Sequence, residues 1–338
     1  MKYSRTTITQ LSKWYKQILI KCALFNATIF MGFSSIPMVV NASEINQNGV
    51  PYQTETTINQ NNNIFNISTT TTNGTGDIGV NTFGKFNVSQ GDIVNLNLIN
   101  NQNKLVNLVF DSSASQIDGI VNSYKDGQIG GNVLFANPNG FVVGQTGVFN
   151  VGSLTLITPT KAFMEGLLSE SFLKPVVVED TLNSLVTFKL EGTDYLLLGG
   201  GVNAAVKLNP AEIKIQGTIN SGAGIDIING GNEINVEKGA ELNANMNFSE
   251  NGGKVIATPK TSVAPSGVQK TQEGLKYKLA IDGGNGISII SQNQKTDGDY
   301  LSAIVNLDGK VKSNGSDVLV QTEIYNTGIK SAQEYDKE

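Results

Sequence analysis

A short strand–glycine–strand unit recurs along the sequence and constrains the fold more than any other feature. Each unit has a glycine, an apolar residue two positions later and a small or apolar residue four positions later. The glycines of the four units are Gly119, Gly147, Gly217 and Gly309. Three units also carry an asparagine between the two later positions: Asn122, Asn150 and Asn220. Because glycine lets a strand bend at a corner, stacked units of this kind predict a parallel β-helix, in which asparagine ladders could stabilise the stack.

Alternating apolar and polar residues in neighbouring stretches also indicate β-structure. Residues 93–99 alternate with a period of two, which is typical of a half-buried strand. Apolar residues make up 39% of the chain and charged residues only 16%, so the composition is not that of a disordered protein. We therefore predict an all-β fold, a right-handed parallel β-helix with an N-terminal cap over residues 44–79 and extra-helical hairpin insertions. A β-sandwich built from similar hairpins is the alternative.

Three stretches interrupt the expected coils. Residues 161–174 have apolar residues at the spacing of a short amphipathic helix, although a looped excursion over the core fits them equally well. Residues 176–201 contain short apolar runs that indicate an extra hairpin. Residues 259–275 are polar and indicate a second excursion. The predicted organisation is 43–200 for the cap, first coils and hairpin insertion, 201–330 for further coils, and 331–338 for a charged tail.

Residues 1–42 are predicted to be a secretory signal peptide with an extended basic segment. This segment carries five basic residues and no acidic one: Lys2, Arg5, Lys13, Lys16 and Lys21. Residues 22–40 are mostly apolar, and Ala42 and Ser43 are small residues on the two sides of a cleavage position. An N-terminal membrane anchor is the alternative, although polar residues and a proline weaken the apolar stretch as a spanning helix.

The charge of the remaining chain limits its partners. Removing the leader takes away five positive charges and no negative ones, so the formal net charge changes from −5 to −10 (−5 minus 5). An acidic chain argues against nucleic acid and anionic membrane surfaces as partners, because both require clustered lysine and arginine. No later stretch is long and apolar enough to predict an integral membrane span.

The residue inventory excludes several kinds of catalytic site. The chain has no histidine, and its one cysteine, Cys22, lies in the predicted leader. Serine–histidine triads, histidine metal ligands and thiolate chemistry are therefore excluded from the mature chain. No cofactor and no metal ion is predicted. Carboxylate pairs such as Asp226 with Glu233, or Asp282 with Asp297, leave an extracellular β-helix carbohydrate-active enzyme as an alternative function.

The tetrad Asn137-Pro138-Asn139-Gly140 lies between two apolar runs and predicts a turn between two strands. Asparagine is favoured at the first position of a type I turn, proline presets φ at the second, and glycine suits the fourth. On residue types alone, a surface loop is the simplest interpretation, since these residues dominate turns in general.

Residues 133–160, with this tetrad near their start, resemble the secretion domain of filamentous haemagglutinin-type exoproteins, the passengers of two-partner secretion in Gram-negative bacteria. Residues 81–88 resemble a second family segment through four residues: Asn81, Phe83, Phe86 and Asn87. The long basic signal peptide is also typical of the family. A further family motif, NPNL, is absent, and this pattern is similar to the high-molecular-weight-adhesin branch. The resemblance is good over residues 43–170 and looser over 195–330.

The resemblance implies an exported β-helix protein that is not an enzyme. Its partner would be an outer-membrane β-barrel transporter with periplasmic domains, and a host-cell or cell-surface receptor would be a further partner. The family places transporter recognition and the start of folding on residues 137–140 and on the four residues of segment 81–88. The protein would pass through the periplasm and end secreted or at the cell surface, as an adhesin in virulence. Because family members are commonly far longer, a truncated adhesin fragment without effector activity is a second alternative.

Overall fold

The computed structural model describes residues 42–168, 208–261 and 303–316, together with the backbone of strands 187–189, 195–198, 202–205, 269–270, 277–280, 286–295 and 318–326. All of these residues belong to one compact unit, Ala42–Glu338. The predicted signal peptide before residue 42 and the predicted tail at 331–338 lie outside the described residues.

The described elements are a cap, successive coils of the chain, and insertions. The cap contains β1 (Glu44–Asn46), β2 (Thr56–Asn61) and β3 (Ile64–Thr69). The first three coils contain β4 (Ile78–Phe83), β5 (Lys85–Asn87), β6 (Ile93–Leu98), β7 (Lys104–Val109), β8 (Ser115–Ile117), β9 (Ile120–Lys125), β10 (Gln128–Ile129), β11 (Asn132–Ala136), β12 (Phe141–Val143) and β13 (Val148–Val151). The fourth coil and its insertion contain β14 (Ser153–Ile157), α1 (Lys161–Leu167), β15 (Thr187–Lys189), β16 (Tyr195–Leu198), β17 (Val202–Ala205), β18 (Ile213–Ile215) and β19 (Thr218–Ser221). The remaining strands are β20 (Gly224–Asn229), β21 (Asn232–Val236), β22 (Glu241–Asn243), β23 (Met246–Asn251), β24 (Lys254–Pro259), β25 (Gln269–Lys270), β26 (Tyr277–Ala280), β27 (Gly286–Lys295), β28 (Ala303–Leu307), β29 (Lys310–Lys312) and β30 (Val318–Asn326).

Three parallel sheets form the faces of a β-helix, and the chain visits them in a fixed order. The first face is β4-β7-β11-β14-β20-β27-β30, and the second is β8-β12-β18-β21-β28. The third face is β3-β6-β9-β13-β19-β22-β29, with β2 antiparallel at its N-terminal edge. From β7 to β29, each coil contributes one strand to each face, whereas β5 of the first coil pairs with β1. The predicted all-β parallel β-helix is therefore confirmed. Its right-handed sense and the domain division at residue 200 remain predictions.

The glycines of the recurring unit lie at the corner between the second and third faces. The apolar residues that follow them stack in register on the third face, for example Val121 on Phe149 and Phe149 on Ile219. A Cβ atom placed on Gly217 would lie 2.2 Å from the carbonyl oxygen of Gly147 in the preceding coil. The corners are therefore stacked so closely that a side chain has no room, which is the physical reason for the repeated glycine.

The interior of the coils is filled by aliphatic and phenylalanine side chains. Phe83, Phe86, Phe135 and Phe149 are all at most 1% exposed. Their rings form a continuous row, with centroid separations of 5.0, 4.8 and 6.1 Å between successive members. Tilted and edge-to-face contacts of this kind add to the stabilisation from burial, so the row links the first coil to the third.

A ladder of six asparagines runs along the third face, one from each successive strand. Its members are Asn66, Asn95, Asn122, Asn150, Asn220 and Asn243. Each Nδ2 donates to the Oδ1 of the asparagine in the preceding strand, at distances of 3.0 to 3.1 Å. The expectation of an asparagine ladder is thereby confirmed, and three of its members are the asparagines of the recurring unit.

The outer side of the first face is also buried. Side chains that include Val106, Leu134 and Ile157 form a second apolar cluster there with Phe163 and Met164 of α1. The predicted short helix is confirmed over Lys161–Leu167, and it covers the sheet as the looped alternative would. Strand β15 pairs antiparallel with β16, as predicted for a hairpin insertion, and also with β26, which follows the predicted second excursion.

Candidate functional site

The tetrad forms the corner between the first and second faces in the third coil, between β11 and β12. The backbone N–H of Gly140 donates to the carbonyl oxygen of Asn137 at 3.1 Å, so the predicted β-turn is hydrogen-bonded. The N–H of Asn139 donates to Asn137 Oδ1 at 2.9 Å, which is the local bond expected of asparagine in a turn. Gly140 has a φ of 93°, a conformation that favours glycine.

The Asn137 side chain ties this corner to the preceding coil. Its Nδ2 donates to the carbonyl oxygen of Ser113 at 3.1 Å and to Ser115 Oγ at 3.0 Å. The side chain is 0% exposed. Both N–H groups and the oxygen of the amide are therefore hydrogen-bonded in a site without solvent. Only glutamine has the same donors and acceptor, and its longer side chain would place them at different positions.

The following coil closes over the other side of the turn. Asn209 Nδ2 donates to the carbonyl oxygen of Pro138 at 2.6 Å, although the two residues are 71 positions apart. A Cβ atom on Gly140 would lie 2.0 Å from the carbonyl oxygen of Glu212, whose oxygen also accepts the N–H of Phe141 at 3.2 Å. The tetrad is therefore held between the second and fourth coils, and the interpretation as an ordinary surface loop is wrong.

Asn139 is the exposed member of the tetrad, while the other three residues are buried. Its Nδ2 donates to the carbonyl oxygen of Asp111 at 2.7 Å. Its side chain thus stays at the surface but still bridges to the preceding coil.

The segment of residues 81–88 turns a corner between two strands. Asn81 and Phe83 lie in β4, and Phe86 and Asn87 lie in β5, after a bend at Gly84. Glycine is required at this bend because a Cβ atom on Gly84 would lie 1.7 Å from the carbonyl oxygen of Asn48 in the cap. The structure therefore places this segment at the junction of the cap and the first coil.

The four predicted residues of this segment have structural partners. Asn81 is 0% exposed, and its Nδ2 donates to Asn107 Oδ1 at 3.0 Å. Asn87 Oδ1 accepts the N–H of Gln116 at 2.9 Å. Phe83 and Phe86 belong to the phenylalanine row, in which Phe86 contacts Phe135, two residues before Asn137. The two predicted parts of the site are thus connected through the core.

The residues around the predicted cleavage position lie beside the first coil. Ala42 is exposed, whereas Ser43 is partly buried. Ser43 Oγ accepts the N–H of Ser89 at 2.8 Å and donates to the Asp92 carboxylate. The next residue, Glu44, pairs with Lys85 at 2.7 Å, and this hydrogen bond and charge lower the pKa of Glu44 and raise the pKa of Lys85.

A second corner repeats the Asn137 geometry and was not predicted from the sequence. Asn229, also 0% exposed, donates from Nδ2 to the carbonyl oxygen of Ala211 at 2.8 Å and accepts the N–H of Gly231. Gly231 has a φ of 103°. An asparagine at the end of an apolar strand, followed within three residues by glycine, is the sequence signal that both corners share.

The structure places the first predicted carboxylate pair on two different faces. Asp226 lies on β20 of the first face and Glu233 on β21 of the second, while Asp282 and Asp297 lie outside the described residues. Within the described ranges, no group of three or more acidic, histidine or cysteine side chains could hold a metal ion. Among the described residues, no helix has both the length and the apolar character needed to cross a membrane.

The stacked coils with their three faces, the cap and the buried turn define the chain as a parallel β-helix domain. It belongs to the family of the TPS (two-partner secretion) secretion domain, which matches residues 43–323. No curated protein matches the chain. Among solved structures it is similar to the crystal structure of the HMW1 secretion domain from Haemophilus influenzae, with 14% identity and a TM-score of 0.36 over 83% of this chain. The alignment covers 62% of that chain, less than two thirds of its length.

Family membership confirms the resemblance to two-partner secretion exoproteins. The family is a secretion domain of exoproteins and not a known family of enzymes.

Proposed function

We propose that this chain is an adhesin-like exoprotein whose N-terminal β-helix carries the recognition signal for its outer-membrane transporter. In this proposal a signal peptide directs the chain across the inner membrane and is removed between Ala42 and Ser43. The chain then passes through the periplasm unfolded, and the transporter binds it through residues 137–140 and the segment 81–88. The exported protein remains secreted or at the cell surface, where it binds a receptor.

The burial of the predicted signal is the observation that carries this proposal. Asn81, Phe83, Phe86 and Asn137 are at most 1% exposed in the folded protein. A transporter cannot contact side chains that lie inside a packed β-helix. If these residues are a recognition signal, the transporter therefore binds them before the coils form. The same side chains are later buried when the β-helix folds.

The physical properties of the fold suit recognition of an unfolded chain. Coil formation pairs strands that lie roughly 20 to 70 residues apart in the sequence, and such non-local pairing is slow. Until it happens, the strands have unpaired backbone groups that can add to the edge of a sheet in the transporter's periplasmic domains. After export, the satisfied turn at Asn137 fixes the third coil against its neighbours and sets the register for those that follow.

The experiment is a secretion assay in cells that carry the cognate transporter, with two matched alanine variants. Asn137→Ala and Asn229→Ala each remove a fully buried asparagine from an equivalent corner, so they should destabilise the folded protein to a similar degree. We expect Asn137→Ala to reduce secretion at least about tenfold more than Asn229→Ala, because only the former changes the proposed signal.

Binding in the absence of folding separates recognition from stability. Urea-unfolded wild-type and variant chains are diluted onto the isolated periplasmic domains of the transporter, and the initial binding rate is measured. We expect Asn137→Ala to bind more slowly than wild type, and Asn229→Ala to bind at the wild-type rate. Equal secretion and equal binding of the two variants would assign the tetrad a purely structural role.

Adhesin activity is tested with the secreted protein. We expect it to bind to epithelial or bacterial cell surfaces in a saturable manner, and the heat-unfolded chain to lack this binding. Non-saturable association that is equal for both forms would contradict the adhesin assignment while leaving the export mechanism intact.

A further inference from the structure

The residues that directly follow the proposed cleavage position form a strap across the first coil. This strap, residues 43–48, contains β1, which pairs antiparallel with β5 so that Ile45 lies opposite Phe86. Ile45 is 9% exposed and belongs to the main core cluster. The N–H of Gly84 donates to the carbonyl oxygen of Asn46 at 2.8 Å. The strap therefore closes the N-terminal end of the second face.

The start of the strap is held by a turn of the first coil, residues 89–92. Ser43 Oγ lies between the N–H of Ser89, at 2.8 Å, and the carboxylate of Asp92. The turn is closed by the N–H of Asp92, which donates to the carbonyl oxygen of Ser89 at 3.0 Å. The carbonyl oxygen of Asp92 in turn accepts the N–H of Ile120 at 2.9 Å. Since the second coil rests on this turn, the Asp92 carboxylate is presented in a fixed position.

The Asp92 carboxylate has no cationic partner among the described salt bridges. Other acidic residues near the strap each interact with a named side chain. Glu44 on β1 pairs with Lys85 on β5. The charge of Asp111 in the second coil also raises the pKa of Lys85. Asp118, next to Val88 in the following coil, accepts a hydrogen bond from Gln116. Asp92 is therefore a partly buried negative charge beside residue 43, without a lysine or arginine in the part of the chain that the structure describes.

Cleavage between Ala42 and Ser43 would supply the missing cation. Hydrolysis adds water across that peptide bond, so that Ala42 keeps a carboxylate and Ser43 acquires an α-ammonium group. The nitrogen and Oγ of one serine are about 3–4 Å apart, and Oγ is already hydrogen-bonded to Asp92. The new charge thus arises within about 6 Å of the carboxylate, a separation at which opposite charges favour one another.

We infer that Asp92 and Ser89 form a receiving site for the processed N-terminus, and that cleavage locks the strap onto the first coil. This inference rests on the cleavage position of the proposed function. In the uncleaved chain residue 43 has an amide nitrogen and no charge, so the strap is held by β1 pairing and the Oγ contacts alone. Removal of the leader thereby stabilises the first coil, which also contains the segment 81–88.

The test compares two purified chains by hydrogen exchange and mass spectrometry. One begins at Ser43, released from a fusion by a protease, and the other is identical but preceded by Ala42 and one more residue. We expect amides of residues 44–48 to exchange about fivefold more slowly when the chain begins at Ser43, which is the scale of a partly exposed ion pair. Exchange in β13 of the third coil should be the same in both chains, and shows that both are folded.

Two further measurements identify the groups involved. In the Asp92→Asn variants we expect the two chain starts to exchange alike. The carboxylate raises the pKa of the α-amino group above its unfolded value of about 7.7–8.0, so the added protection is complete below that pH and is lost as the pH rises through the folded pKa. Equal exchange of the two wild-type chains at pH 7, or a difference that persists in Asp92→Asn, would overturn the inference.

The N-terminal mass of the secreted protein tests the proposed cleavage separately. A mature chain that begins at another residue would remove this part of the proposed function. The comparison of purified chains would still decide whether the site receives an α-ammonium group at Ser43, so the two failures are distinguishable.

Discussion

Removal of Asn150 from the middle of the asparagine ladder should destabilise the β-helix more than removal of the asparagine at the ladder's N-terminal end. Asn150 Nδ2 donates to Asn122 Oδ1 at 3.0 Å, and Asn150 Oδ1 accepts from Asn220 Nδ2 at 3.1 Å. In Asn150→Ala both bonds are lost, and the facing groups of Asn122 and Asn220 lose their partners. Since Asn150 and Asn122 are each 5% exposed, water replaces these bonds poorly.

The magnitude follows from these contacts. Each lost hydrogen bond contributes about 1 kcal/mol, and the unpaired groups add a desolvation penalty, so we expect a loss of about 2–4 kcal/mol in the free energy of unfolding. Asn66→Ala is the matched control, because Asn66 is exposed at the ladder's end and its side chain accepts one ladder bond, from Asn95. We expect that variant to lose less than about 1 kcal/mol.

The assay is urea unfolding of the chain 43–338, followed by circular dichroism, together with hydrogen exchange of β9, β13 and β19. Exchange is needed because stacked coils interact mainly with their neighbours, and unfolding then need not be two-state. We expect faster exchange in the three strands around Asn150 in the alanine variant. Equal losses for Asn150→Ala and Asn66→Ala would refute the reasoning that burial and the two-sided bonding of the ladder determine its contribution.

Asn150→Asp tests whether the side chain at position 150 must donate a ladder bond. Its ionised carboxylate still accepts from Asn220 but faces Asn122 Oδ1, so two acceptors meet where a donor is required. We expect this variant to be less stable than Asn150→Ala at pH 7 and to recover part of the loss in acid, where the protonated carboxyl group can donate. Stability that is independent of pH relative to wild type would contradict a ladder bond donated by Asn150 in the folded protein.

Three further changes test the corner, the core and the surface charges. Gly140→Ala should cost at least about 2 kcal/mol, from positive φ and the clash with the next coil, whereas Gly239→Ala, with φ 97° and no neighbour within 4 Å, should cost about 1 kcal/mol in the same urea titration. Phe86→Ala should cost about 3–5 kcal/mol, since it opens a cavity in the phenylalanine row; a loss below 1 kcal/mol in thermal unfolding would contradict the packing described. The Glu237 carboxylate accepts from a glutamine and pairs with a lysine of the preceding coil, which lowers its pKa from 4.5. Its stabilisation is therefore present above about pH 4.5 and lost as the pH falls through the lower folded pKa, and Glu237→Gln should be less sensitive to acid over that range.

The fold was predictable to the extent that it follows from local pattern. Alternation indicated the strands, and the glycine before each apolar residue of the recurring unit indicated a corner, because close stacking leaves no space for a Cβ atom there. The asparagines of that unit indicated a ladder for the same reason: residues at equivalent positions of stacked coils meet in register. The resemblance of residues 133–160 then identified the family, which the match over residues 43–323 confirmed.

The sequence could not show what surrounds the tetrad. Its composition was that of an exposed turn, yet Asn137 is fully buried and Pro138 is bound by Asn209, 71 residues later. An insertion separates those two residues along the chain, so no local pattern relates them. The need for glycine at position 84 could not be predicted for the same reason, because the backbone that approaches it belongs to Asn48 of the cap.

The sequence by itself therefore determined the strands, the glycine corners and the family, since each depends on residues close together in the chain. Only the tertiary structure decided which side chains of the predicted signal are buried, which carboxylate faces Ser43, and that Asn229 repeats the Asn137 corner. The reason is that each coil places a residue between partners from the coils before and after it. The environment of a corner is thus set by chain segments roughly 20 to 70 residues away, whose spacing depends on the insertions between them.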